Sequence, residues 1–65
     1  MSAAVHLANA RRYENAARTL HDMLRVSLTL GNQRAAAAAR ENRDIARRLH
    51  LAELAEALAA GWVLS

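Results

Sequence analysis

Seventeen of the 35 apolar residues in this 65-residue chain are alanine, ten are leucine, and none is phenylalanine. Alanine and leucine lead the helix-propensity ranking, and no proline interrupts the chain, so nearly all of it is expected to be helical. Alanine, however, removes little apolar area from water when it is buried. The bulky apolar groups number only ten Leu, three Val, two Met, one Ile, one Trp and one Tyr. A chain of this length is one domain at most, with a core worth a few kcal/mol. With no cysteine to staple it, the remaining support is association. The expectation is a homo-oligomer, most simply a homodimer.

Gly31-Asn32 divides the chain. Glycine accepts the left-handed backbone that closes one helix, and asparagine is a favoured N-cap for the next. Ser2 caps the start and Gly61 marks the final stop. The prediction is a single domain over 1–65: helix about 3–30, turn 31–32, helix about 33–60 and a short tail 61–65. So short a link makes the helices antiparallel neighbours, an all-α helical hairpin with arms of roughly 40 Å. Two hairpins side by side would form a four-helix bundle.

In the first helix Tyr13, Ala16, Ala17, Leu20, Met23, Leu24, Ser27 and Leu28 fall on one face at intervals of three and four. Arg11, Arg18 and Arg25 repeat every seven residues on the far side, read as a solvated face with the pairs Glu14–Arg18 and Arg18–Asp22. In the second helix Ala38, Ile45, Leu49 and Ala52 share a face beside Asn42, a polar group of the kind that fixes register in bundles. Leu51, Leu54, Leu58 and Trp62 lie elsewhere, so the apolar stripe jumps near His50. Either the helix breaks there, or it continues with its last turns apolar on two sides. No Gly or Pro marks a break, which favours continuity. Tyr13, Leu20, Leu24, Ile45 and Leu49 are the expected hairpin core. Leu51, Leu54, Leu58 and Trp62 are the expected interface, with Trp62 folded back on its own helix.

The segment Tyr13-x2-Ala16-x3-Leu20-x2-Met23-Leu24, followed by Leu30-Gly31-Asn32 and an Ala-rich helix, resembles a tetratricopeptide-type helical repeat. That resemblance implies alanine where helices cross closely. The Trp-x2-Leu-Gly signature of such repeats is absent. Leu51-Ala52-Glu53-Leu54-Ala55-Glu56-Ala57-Leu58 is similar to the first helix of helix-turn-helix DNA readers. Only four residues follow Gly61, so no reading helix is expected after it.

The formal charge is +3, from nine Arg and no Lys against six acids, which is modest for a dedicated nucleic-acid binder. Arg40, Arg43, Arg47 and Arg48 form the densest positive patch and are the candidate nucleic-acid contacts, interrupted by Glu41 and Asp44. Nothing resembles a nucleophile–base pair or a phosphate loop, so no enzyme and no cofactor are expected. His50-x2-Glu53 has the spacing of a bundle metal pair but lacks bridging carboxylates, and no metal is expected. Met1–Ala10 reads as no signal peptide, and no run approaches the ~20 apolar residues of a membrane span. The absence of cysteine fits a cytoplasmic protein, and the Arg/Ala bias a bacterial or phage accessory protein. The function expected is a small regulatory or adaptor module for protein–protein interaction. A basic nucleic-acid-binding dimer is the alternative.

Overall fold

A computed structural model describes residues 2–63 as two α-helices, α1 (Ala3–Thr29) and α2 (Gln33–Ala59), folded into an antiparallel hairpin. No strand occurs among the described residues. The end of the expected tail, residues 64–65, lies outside them. Each helix stops one residue short of its expected boundary, a difference within the fraying of any helix end. α2 runs unbroken through His50, so the jump in its apolar pattern is not a break.

Both helix ends close in the same way. Gly31 (φ 73°) takes the left-handed conformation, its N–H donates to Leu28 O at 3.1 Å, and Asn32 N–H donates to Ser27 O at 2.9 Å. These are the paired bonds of a Schellman motif. Asn32 then turns its side chain to the next helix, accepting from Ala35 N at 3.0 Å as the N-cap of α2. Gly61 (φ 103°) repeats the motif, with Gly61 N to Leu58 O at 3.1 Å and Trp62 N to Ala57 O at 2.9 Å.

The seam between the helices follows an unbroken three–four rhythm. α1 contributes Ala3, His6, Ala10, Tyr13, Ala17, Leu20, Leu24 and Ser27, and α2 contributes Ala36, Ala39, Arg43, Ala46, His50, Glu53 and Ala57. None of these residues is fully exposed, and Ala10, Ala17, Leu24, Ala36, Ala39, Ala46 and Ala57 are buried. This is the heptad repeat of a coiled coil, with alanine at six of its eight buried positions.

The expected core is therefore corrected on α2. Ala38, Ile45, Leu49 and Ala52 are exposed, and their immediate successors Ala39, Ala46, His50 and Glu53 face α1 instead. The seam is rotated by one residue, about 100°, from the side on which the bulky groups lie. On α1 Leu24 is buried and Tyr13 and Leu20 are half-buried, while Ala16, Met23 and Leu28 are exposed. Asn42 is exposed, so it does not set the register inside the hairpin. Small side chains let two backbones approach closely, and large ones on the same face would hold them apart. The result is a slender body of 45 × 17 × 15 Å. Its radius of gyration is 14.4 Å, against about 11 Å for a compact chain of this length.

Candidate interaction faces

Polar side chains pin the seam where alanine alone would leave it free to slide. Nδ1 of His6 lies 2.6 Å from Oε2 of Glu53, joining the first turns of α1 to the last turns of α2. His50 Nδ1 sits 2.8 Å from the carbonyl oxygen of Ala10. A carbonyl only accepts, so this ring nitrogen carries the proton. Arg43 bonds Oδ1 of Asp44 through Nε at 3.3 Å and Nη2 at 3.2 Å, and its Nη1 lies 3.4 Å from Nδ1 of His21. His50 and Glu53, the pair with metal-ligand spacing, thus engage two separate partners on α1. No group of three or more His, Cys, Asp or Glu side chains is placed to hold a metal among the described residues.

An open cavity of about 300 Å³ fixes which flank of α1 meets which flank of α2. Leu7, Ala10, Arg11 and Glu14 line it from α1, and His50, Leu54 and Trp62 line it from the other arm. The flank of α1 that carries Leu7, Glu14 and His21 therefore adjoins the flank of α2 that carries Leu54, Arg47 and Arg40. By the helical repeat, the opposite flanks meet on the other side of the hairpin. There Ala16 and Met23 of α1 adjoin Ala38, Ile45, Leu49 and Ala52 of α2.

These two broad sides differ in chemistry. The second carries the exposed apolar groups Met23 (53% exposed), Ile45 (39%) and Leu49 (41%) among alanines, with the uncharged polar residues Asn9, Thr19 and Asn42 between them. Arg12 and Glu56 are its charged residues, and they cancel. Leu51 and Leu58 lie farther round α2, in the row of Asp44, separated from Ile45 and Leu49 by Ala52, Ala55, Ala59 and the exposed Arg48. The first side is basic over its middle and turn-proximal length. Arg11, Arg18 and Arg25 form one exposed row on α1, and Arg40 and Arg47 form another on α2.

The four candidate interface residues do not act as one stripe. Leu51 (63% exposed) and Leu58 (50%) face solvent, while Leu54 and Trp62 are half-buried around the cavity. Trp62 shares the cavity with His50 and Leu54 of α2 and with Leu7, Ala10, Arg11 and Glu14 of α1. The candidate arginine cluster divides as well. Arg40 and Arg47 stand on the basic side, Arg43 turns into the seam with its side chain 16% exposed, and Arg48 lies on the back of α2. Sequence reasoning treated Arg11, Arg18 and Arg25 as an unrelated solvated face, yet the fold sets them beside Arg40 and Arg47. The seven-residue spacing of Ala10, Ala17 and Leu24, matched by that of Ala39 and Ala46, was the signal that could have aligned the two rows.

No protein-family model, curated protein or solved structure matches the chain. Among the described residues no helix is long and apolar enough to cross a membrane.

Proposed function

We propose that this protein is a non-enzymatic helical interaction module that works as a homo-oligomer, with two hairpins packing into a four-helix bundle. The observation that carries this reading is the accessible surface. The chain exposes 4841 Å², whereas a compact 7.1 kDa monomer exposes about 4,100 Å². The excess of roughly 700 Å² is close to the ~800 Å² that each partner buries in a standard interface. Its apolar part lies on Met23, Ile45 and Leu49 and, farther round α2, on Leu51 and Leu58.

A second copy is the occupant that fits. The face has no net charge, so two copies do not repel, and its alanines allow close helix approach. A two-fold contact also lets each apolar patch cover its counterpart. Of the expected interface residues, Leu51 and Leu58 are exposed on the outer surface of α2 and available to a partner, whereas Leu54 and Trp62 line the cavity on the opposite, basic side of the hairpin. A regulatory or adaptor role follows from such a scaffold, which presents its remaining surface twice.

Sedimentation equilibrium tests the proposal. Twice the 7.1 kDa chain mass is expected at micromolar concentration. The double variant Ile45→Glu/Leu49→Glu, at exposed sites, should sediment as a single chain with its helicity retained, whereas Arg18→Ala should remain associated. A wild-type protein that stays monomeric throughout the micromolar range overturns the reading. So does undiminished association of the double variant.

A further inference from the structure

We infer that the basic side of the hairpin is a binding surface for the phosphate backbone of a nucleic-acid duplex. On this side five exposed arginines and the seam residue Arg43 stand against the carboxylates of Glu14, Asp22 and Asp44, an excess of three positive charges that equals the +3 of the whole chain. The field is therefore concentrated on one flank, and the rest of the molecule is close to neutral. Arg18 is bonded to Glu14 at 2.7 Å and Arg43 to Asp44. Arg11, Arg25, Arg40 and Arg47 make no side-chain ion pair among the described residues and keep their guanidinium groups for a ligand.

The spacing suits a repeating polyanion. Arg11, Arg18 and Arg25 recur every seven residues, about 10 Å apart, so the row spans about 21 Å of a rigid helix. A duplex presents one phosphate per ~1.7 Å of its axis, about a dozen over that length. The planar guanidinium fork suits phosphate oxygens.

Other polyanions fit less well. Single strands are gripped by aromatic stacking, and no aromatic residue stands between the two rows. An acidic protein partner would call for a central apolar anchor, and the leucines of this side lie towards its ends. A membrane surface calls for apolar groups beside the charges, and these lie mostly on the opposite side of the hairpin. No Asn or Gln stands between the rows to read base edges, so recognition is of backbone and not of sequence.

Fluorescence anisotropy of the full chain with a labelled duplex of about 20 base pairs tests this across a salt series. Four phosphate contacts, one for each arginine without an ion pair, give a log–log slope near −3.6, equivalent to about 150-fold weaker binding between ~50 and ~200 mM salt. Arg11→Gln/Arg40→Gln should reduce that ratio to about 12-fold. Arg34→Gln/Arg48→Gln, which removes the same charge from the back of α2, should leave the slope unchanged. Circular dichroism checks that each variant is folded. Three results overturn the inference: no duplex binding at the lowest salt, equal effects of the two double variants, or tighter binding to phosphatidylserine vesicles or polyglutamate. Both rows belong to one chain, so Ile45→Glu/Leu49→Glu should keep the slope. Loss of self-association and loss of duplex binding are thereby read separately.

Discussion

Exchanging the partners across the seam at Leu24 and Ala39 tests the hairpin's packing directly. Leu24, Ala36 and Ala39 form one buried cluster near the turn, with exposures of 5%, 3% and 5%. Ala39→Leu adds three carbons where the helices are in contact, which forces them apart or drives a rotamer off its minimum, at a cost of about 1–3 kcal/mol. Leu24→Ala leaves a cavity and costs about 2–4 kcal/mol. The double variant Leu24→Ala/Ala39→Leu conserves volume, with the leucine now reaching across from α2. It should be more stable than the sum of the single changes by at least ~1 kcal/mol. Unfolding entropy of ~2.1 cal/mol/K per residue makes each kcal/mol worth about 7 °C for a chain of this size. Ala39→Leu alone should therefore lower the melting temperature by about 7–20 °C. Thermal and urea melts followed by circular dichroism measure all four proteins, at one fixed concentration because association would add to apparent stability. Ala8→Leu, on the exposed back of α1, is the control and should change stability by less than about 0.5 kcal/mol. A neutral Ala39→Leu, or strictly additive changes, would mean that α1 and α2 do not meet along the alanine rows.

Two further expectations concern the open end. His6→Ala leaves the half-buried carboxylate of Glu53 without its partner and should cost about 1–2 kcal/mol, whereas Glu53→Gln retains a hydrogen-bonding oxygen and should cost less; urea midpoints decide. At Gly61→Ala the new methyl group meets open space, so only the strained φ of 103° is charged, about 1 kcal/mol. Because Trp62 is the sole tryptophan, its release from the cavity should shift emission to the red with little loss of helix signal; unchanged emission would show that Gly61 does not hold it there.

The hairpin was legible because its determinants are local. Propensity makes the arms, and Gly31 and Asn32 do chemically specific jobs at the turn. The side on which the arms meet was not legible on α2. Hydrophobic periodicity ranks residues by size, so it selected Ile45 and Leu49. In a chain this rich in alanine, closeness of backbone approach sets the seam, and Ala39 and Ala46 allow it where Ile45 and Leu49 would prevent it. The rhythm was present in the sequence, carried by the smallest apolar residues and by His6, His50 and Glu53. On α1 the error was smaller because Leu24 belongs both to the apolar stripe and to the heptad. The same rotation explains the candidate sites. Moving the seam of α2 by one residue turns Arg43 inward, leaves Arg48 on the back, and brings Arg40 and Arg47 into line with the arginines of α1.

Burying the small residues and exposing the large ones separates two tasks that most small domains assign to one core. Specificity within the hairpin comes from polar bonds at defined heights: His6 with Glu53, His50 with the Ala10 carbonyl, and Arg43 beside His21. Alanine is uniform and would tolerate sliding by a heptad, whereas these bonds form in one register only. Apart from Leu24 in the seam and the half-buried Leu7, Leu20 and Leu54, the large aliphatic groups, Met23, Ile45, Leu49, Leu51 and Leu58 among them, stay on the outside where a second chain can use them. Folding and association then depend on different side chains. A substitution at Ile45 or Leu49 should weaken association while the hairpin retains its register, and one at Ala39 should do the reverse at matched concentration. The opposite pattern, with Ile45→Glu unfolding the isolated hairpin, would place the core back under the bulky stripe and dissolve the division between the apolar and basic sides.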